Sequence, residues 1–194
     1  MTHSDADVDV IRDVRRGSRD AYAQLVERYH GRLFGLVLMM VRNRAAAEEV
    51  TQDAFVRAYT HLDAYETHRP FYPWIATIAV RLSQNWLRHH TRTSLHEADW
   101  FAEATASTAS LSALDDLIQH ERSEDLWWAV AALPSGERTA VFLYYRDEMP
   151  VRDIARALGV TSGTVKTLLF RARRHLRERL GKAGLKSCAT GEMK

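Results

Sequence analysis

Basic side chains are concentrated near the C-terminal end of the chain, where they could bind a polyanion. Between Gly163 and Lys182 the sequence holds seven Lys or Arg residues and a single acid, Glu178. The seven are Lys166, Arg171, Arg173, Arg174, Arg177, Arg179 and Lys182. This density of positive charge favours a nucleic acid over ordinary solvent, and we expect duplex DNA as the ligand.

Two short helices around a glycine are predicted to position these cations. Apolar residues recur at helical spacing before Gly159, at Val151, Ile154, Ala155 and Leu158, and after it, at Val165, Leu169, Ala172, Leu176 and Leu180. Gly159 breaks the first helix, and Thr161 or Ser162 is expected to cap the second. The pattern is that of a helix-turn-helix, whose second helix enters the major groove of DNA.

A second nucleic-acid surface is predicted on a helix that begins near Pro70. Its expected buried stripe is Phe71, Trp74, Ile75, Ile78, Ala79, Leu82 and Trp86, and its opposite side carries Thr77, Arg81, Gln84, Asn85 and Arg88. Aromatic residues interleaved with cations suit unstacked, single-stranded bases. Tyr72 and Trp74 have two open interpretations, as base-stacking rings or as core, whereas Phe71 and Trp86 are expected in the core.

Two earlier helices complete the N-terminal unit. Apolar spacing over residues 21–41 predicts a core helix, and the run after the polar turn at residues 42–44 predicts another. The exposed side of that second helix collects Glu48, Glu49, Gln52 and Asp53. This cluster is either a docking surface or a solvated helix face.

Charge segregation predicts two folded units. The 194 residues have a net charge of +2, but residues 1–95 carry 13 basic and 11 acidic residues, 96–125 carry 1 and 8, and 126–194 carry 13 and 6. The middle segment is also rich in Ala, Ser and Thr, so we expect a mobile acidic linker, or alternatively the start of a helix at 111–117. The predicted divisions are 1–94, 95–122, 123–184 and a tail at 185–194.

Several classes of protein are not indicated. No run of about 18 apolar residues and no signal peptide is present, so we expect an intracellular, cytoplasmic protein. Cys188 is the single cysteine and the nine histidines lack metal-site spacing, so neither a disulfide, a metal nor a cofactor is expected. Without a glycine-rich phosphate loop or a ligand histidine near the acidic cluster, we expect no catalytic residues.

Taken together, the chain resembles bacterial RNA polymerase sigma factors of the small extracytoplasmic-function (ECF) group, over roughly residues 18–92 and 123–181. The segment AEEVTQDAFVRAY is similar to the helix that grips the polymerase clamp, and FYPWIATIAVRLSQNWLRHHTR is similar to the helix that melts and reads the −10 promoter element. The segment with GTVKTLLFRAR is similar to the domain that reads the −35 element. The resemblance implies an all-α fold of two small helical domains, a sigma-2-like bundle and a sigma-4-like helix-turn-helix.

The resemblance also implies roles for the candidate residues. Contacts to the −35 element are expected from Ser162, Thr164, Lys166, Thr167, Arg171 and Arg174. Contacts to the −10 element are expected from Tyr72, Trp74, Arg81, Gln84, Asn85 and Arg88. Docking on polymerase is expected from Glu48, Glu49, Gln52 and Asp53. Relatives often have arginine in place of Leu168 and asparagine in place of Arg81, so the contacts credited to those side chains do not carry over unchanged.

The implied partners are core RNA polymerase, promoter DNA (duplex at −35 and melted at −10) and an anti-sigma factor. The resemblance further implies that the acidic linker threads the channel later used by RNA. The alternative function is a stand-alone helix-turn-helix transcription regulator with an N-terminal sensing or dimerisation domain. That alternative requires a signal-binding or dimerising surface in place of the cationic, aromatic face.

Overall fold

The computed structural model describes residues 3–90 and 126–189, with side chains described for 7–90 and 126–180. Within these ranges the regular structure is entirely helical, which confirms the predicted all-α class. The predicted acidic linker at 95–122, and with it the alternative helix at 111–117, lies outside the described residues, as do Cys188's side chain and the last five residues.

Four helices and a short 3₁₀ turn form the N-terminal domain. They are α1 (His3–Arg15), α2 (Arg19–Val41), α3 (Arg44–Thr60), the 3₁₀ turn (Leu62–Ala64) and α4 (Phe71–His90). Local side chains start two of them: the Ser18 hydroxyl accepts from the Ala21 N–H at 3.2 Å, and the Asn43 carbonyl accepts from the Ala46 N–H at 2.9 Å. The sequence analysis did not predict α1, which buries Ile11 and Val14.

The C-terminal domain contains the predicted helix-turn-helix. Its described helices are α5 (residues 126–131), α6 (Ser135–Val141) with a π-helical turn (Phe142–Arg146), α7 (Val151–Leu158) and α8 (Ser162–Ala189). Gly159 ends α7 with φ of 69°, the left-handed conformation that favours glycine. The Thr161 hydroxyl accepts from the Thr164 N–H at 3.2 Å and so caps α8, as one of the two predicted caps.

The two domains pack against each other through the C-terminal half of α2. Every residue from Leu33 to Val41 is buried, because α3 and α4 cover one side of this segment and the C-terminal domain covers another. Arg138 of α6 donates from Nε to the Met39 carbonyl at 3.1 Å, which satisfies one of the unpaired carbonyls at the end of α2. Burial, followed by the nearby Arg42, lowers the pKa of Arg138 to about 10, so this guanidinium remains charged at pH 7.

Candidate nucleic-acid interface

The first turns of α8 present the predicted duplex-reading side chains to solvent. Val165, Leu169 and Ala172 are buried against the rest of the C-terminal domain. The opposite side of the helix is therefore free, and all six predicted residues are exposed: Ser162, Thr164, Lys166, Thr167, Arg171 and Arg174. Of the backbone N–H groups at the start of α8, that of Thr164 is paired with the Thr161 hydroxyl, and helix starts in general favour phosphate.

The arginines of α8 point in different directions. Arg173 donates from Nε to the Tyr145 hydroxyl at 2.7 Å, within its own domain. Arg174 is only loosely paired with Glu178, at 3.9 Å between Nε and Oε1. Arg173 is thus engaged within its own domain, and contact of Arg171 and Arg174 with phosphates stays a prediction.

An exposed aromatic ring on α8 was missed by the sequence analysis. Phe170 is 66% exposed, the largest fraction among the exposed large hydrophobic side chains of the described residues. At 100° per residue it lies between Lys166 and Arg174 on the solvent side of the helix. The sequence contained the signal, because residue 170 falls outside the apolar spacing of Val165, Leu169, Ala172, Leu176 and Leu180.

Helix α4 carries a second polar stripe. At 100° per residue, Trp74, Arg81, Asn85 and Arg88 fall within about 60° of arc. Arg81, Asn85 and Arg88 are exposed, and the Arg88 guanidinium donates to the Asn85 side-chain carbonyl. Gln84 is half-buried beside this stripe, so five of the six predicted −10 residues share one side of α4.

The Trp74 ring is held at the edge of this stripe by its neighbours. It is half-buried, with its centroid 5.1 Å from the Tyr65 ring and 5.7 Å from the Phe71 ring. The expected buried stripe is therefore displaced: Ile78 and Trp86 are also half-buried, whereas Ala76, Val80 and Ser83 are buried. The displacement arises because three elements, α2, α3 and α7, all pack on α4.

Tyr72 lies on the opposite side of α4 and is buried. Its hydroxyl donates to Asp147 Oδ2 at 2.5 Å, and the Arg32 guanidinium lies 3.7 Å from the centre of its ring. Burial raises the pKa of Tyr72 well above its usual value, and burial also raises the pKa of Asp147 against the opposing effects of the Tyr72 hydrogen bond and Arg32. In this arrangement Tyr72 contacts the C-terminal domain. The other five predicted −10 residues lie at or near the solvent-exposed surface of α4.

An apolar groove between α2 and α3 contains part of the predicted docking cluster. The groove has a volume of about 650 Å³ and includes Tyr22, Val26, His30, Glu48, Gln52, Phe55, Val56 and Tyr59. Val56 is 55% exposed and Tyr59 is 41% exposed, which is unusual for large apolar side chains. Glu48 and Gln52 thus edge an apolar surface, while Glu49 and Asp53 are exposed on the adjoining side of α3.

Comparison with known proteins gives the same two regions. The family model Sigma-70 region 2 matches residues 25–93, and Sigma-70, region 4 matches residues 123–176. The ECF RNA polymerase sigma factor SigW of Bacillus subtilis is 30% identical over 182 residues, which cover 88% of this chain and 94% of that protein. The chain belongs to the ECF sigma factors. It is accordingly a protein that directs RNA polymerase to promoters.

Two solved structures have a similar fold. CnrH, in complex with the cytosolic domain of CnrY, is 21% identical, with a TM-score of 0.66 over 91% of this chain and 98% of that one. The sigma factor RpoE of Bartonella quintana, in complex with the anti-sigma factor NepR, is also 21% identical, with a TM-score of 0.61 over 82% of this chain and 96% of that one. The predicted architecture of two small helical domains is confirmed.

The described part of this sigma factor contains neither a metal site nor a membrane span. Within it, no group of three or more His, Cys, Asp or Glu side chains could hold a metal ion. No helix of the described ranges has both the length and the apolar character that a span requires. Its chemistry in these ranges consists of charged, polar and aromatic surfaces.

Proposed function

We propose that α8 of this sigma factor reads the −35 element as duplex DNA. The observation that carries this proposal is that all six polar candidates are exposed, five of them about 90° or more from the buried stripe at 100° per residue and Ser162 in the first turn of α8. Ser162, Thr164, Lys166 and Thr167 would contact base edges and nearby phosphates, and Arg171 and Arg174 would neutralise phosphates farther along. Phe170 joins this set, because an exposed ring in the major groove suits the methyl group of thymine.

The polar stripe of α4 is the proposed reader of the melted −10 element. Trp74 supplies a ring on which an unstacked base can stack, and Arg81, Gln84, Asn85 and Arg88 supply donors for phosphates and base edges. Tyr72 is retained as a candidate for the conformation in which the two domains have separated. The proposed boundaries are 1–94 for this domain, 95–122 for the linker and 123–184 for the −35-reading domain.

The groove between α2 and α3 is the proposed docking site for core polymerase. Its exposed apolar residues, Val56 and Tyr59, would bury area on docking, and Glu48 and Gln52 at its edge would select a partner with basic or donor groups. We place Glu49 and Asp53 at the rim of the same interface. Replacing Glu48 and Gln52 together by Lys should abolish holoenzyme assembly without unfolding the helix, since both are exposed.

An anti-sigma factor is a further proposed partner. RpoE is found with the anti-sigma factor NepR, and CnrH is found with the cytosolic domain of CnrY. The exposed groove offers such a partner an apolar surface. We also propose that the protein acts in the cytoplasm, where promoters are transcribed, and that it contributes no catalytic residue of its own to initiation.

Reconstitution tests the assignment. The protein would be mixed with core polymerase and promoter DNA, and the 5′ ends of transcripts made after its overexpression would be sequenced to obtain both promoter elements. We expect open complexes only when polymerase is present. Tight sequence-specific DNA binding without polymerase, and no new start sites, would instead support a stand-alone regulator.

A further inference from the structure

A buried carboxylate joins the two promoter-reading domains. The Asp147 side chain, from the C-terminal domain, has no exposed surface, and it accepts from Tyr72 Oη at 2.5 Å and from Arg32 Nε at 3.2 Å. Arg32 also donates to the Asp147 backbone carbonyl. Both partners belong to the N-terminal domain, so this cluster exists only while the domains are in contact.

The same contact covers the surface proposed to hold single-stranded bases. Helix α7 packs on α4, and the cleft between them is edged by Trp74, Thr77 and Arg81 on one side and by Arg152 and Arg156 on the other. The C-terminal domain thus restricts the approach of a melted strand to Trp74, while Arg81, Asn85 and Arg88 on the same helix remain exposed. By contrast, the six polar candidates on α8 are exposed in the same arrangement.

The arrangement is too compact to reach both promoter elements. Elements centred at −10 and −35 are separated by about 25 base pairs, or about 85 Å of duplex at about 3.4 Å per base pair. A compact chain of this length has a radius of gyration of about 16 Å and is about 40–45 Å across. Residues 91–125 could span at most about 120 Å when extended, so separated domains can reach both elements whereas packed domains cannot.

We propose that Asp147, Tyr72 and Arg32 form a latch that holds the free sigma factor in a closed state, with α7 over the −10-reading side of α4, until core polymerase stabilises the open state. The latch rests on the function proposed for α4. Its opening is a population shift: the apparent Kd for polymerase equals the intrinsic Kd divided by the open fraction. A variant that weakens the latch should therefore bind polymerase more tightly, an outcome that simple damage to the fold would not produce.

The size of the effect follows from the chemistry of the contact. Hydrogen bonds to a charged group each change an equilibrium constant by roughly tenfold to a hundredfold when they are buried. Asp147→Asn removes the charge and keeps the shape. We expect the apparent Kd for core polymerase to fall about tenfold, and the distance between labels on the two domains to lengthen in the free protein.

The labels would be fluorophores on cysteines introduced at the exposed positions Gln24 and Glu178, in a Cys188→Ser background. The matched control is Glu148→Gln, which makes the same charge change at the neighbouring exposed residue. It should leave both the label distance and the Kd at the parent values. Thermal unfolding of each variant reports whether its domains remain folded.

A second variant tests the latch independently of Asp147. A Cβ atom added at Gly35 would lie 2.5 Å from Nη1 of Arg146, and its three nearest atoms all belong to that C-terminal-domain side chain. The flexible Arg146 head group could move aside for a single Cβ atom, but the three further carbons of leucine have to fit into the buried contact around residue 35. Gly35→Leu should therefore wedge the domains apart, and leucine favours the helical conformation of α2 more than glycine does. We expect a longer label distance and a lower apparent Kd, as for Asp147→Asn.

The outcomes separate the two proposals. If both variants keep the label distance and the polymerase affinity of the parent, the latch is refuted while the sigma function stands. If the parent protein itself forms no open complex with core polymerase, the proposed function fails whatever the variants do. If Asp147→Asn unfolds, Gly35→Leu decides, and a parent-like result for it overturns the proposal.

Discussion

The two DNA-reading helices differ in how much of their reading surface is free. On α8 the polar candidates are all exposed, whereas on α4 the Trp74 ring is half-buried and the C-terminal domain lies over part of the stripe. Duplex DNA is held mainly by cations, which are well solvated when unbound. Melted bases are held by rings, and an exposed ring carries a cost in water that a covered ring avoids.

Removing positive charge from α8 is expected to have the largest effect on promoter binding. Arg171→Ala together with Arg174→Ala should lower −35-dependent initiation about a hundredfold and reduce the slope of log affinity against log salt by about 2, because two phosphate contacts are lost. Initiation assays over a range of salt concentrations would measure both. Arg12→Ala with Arg16→Ala removes the same charge from exposed positions in and just after α1 and should change neither. An unchanged salt slope in the α8 variant would show that these arginines do not contact phosphates.

Removing the ring from α4 tests the other half of the comparison. Trp74→Ala should reduce open-complex formation about tenfold to a hundredfold, since stacking contributes about 1–3 kcal/mol per base. Binding to a closed promoter should change little, and Trp74→Phe should restore most of the activity. Permanganate footprinting of unpaired thymines would measure opening. The stability of the alanine variant has to be checked, because Trp74 packs on Tyr65. If the folded alanine variant opened promoters normally, the Trp74 ring would not be part of the strand-binding surface.

Phe170 tests whether a ring also contributes on α8, the helix proposed to read duplex DNA. Phe170→Ala should weaken binding to the −35 element about tenfold at a single position occupied by thymine, in line with one apolar contact to a methyl group. Replacing each thymine by uracil in turn should reproduce the loss at that position alone. The melting temperature of the Phe170→Ala protein should equal that of the parent, since the ring is 66% exposed. An equal loss on every sequence would instead indicate a general packing role.

The sequence was sufficient for the features that depend on local patterns. Helical spacing and Gly159 predicted the helix-turn-helix, and the Thr161 cap and the buried stripe through Val165 and Leu169 are confirmed. Because that stripe faces the core, the polar candidates elsewhere on α8 were expected to be exposed, as they are. These features need only neighbouring residues, so one sequence is enough to find them.

Contacts between the domains were not predicted. The stripe assigned to α4 assumed one packing surface, but α2, α3 and α7 all pack on it, so Tyr72 is buried and Trp74 is half-buried. A signal existed in residues 33–41, an uninterrupted apolar run too wide for one helix face, which indicates burial on several sides. The partner of that run, which includes Arg138 on the Met39 carbonyl, is about a hundred residues away and cannot be read from periodicity.

The smallest expected effect separates folding of α8 from its contact with DNA. Thr161 caps α8, whereas Pro150 before α7 makes no side-chain cap. Thr161→Ala should lower the free energy of unfolding by about 1 kcal/mol and weaken −35 binding a few-fold. Thr161→Asp keeps the cap and favours the helix dipole, so stability should return, but its negative charge beside the phosphates should weaken DNA binding further. Chemical denaturation and binding to a −35 duplex would measure the two effects separately. Recovery of both stability and affinity in Thr161→Asp would mean that the start of α8 lies away from the DNA backbone. Contact between α8 and DNA would then depend on Lys166 and the residues that follow it.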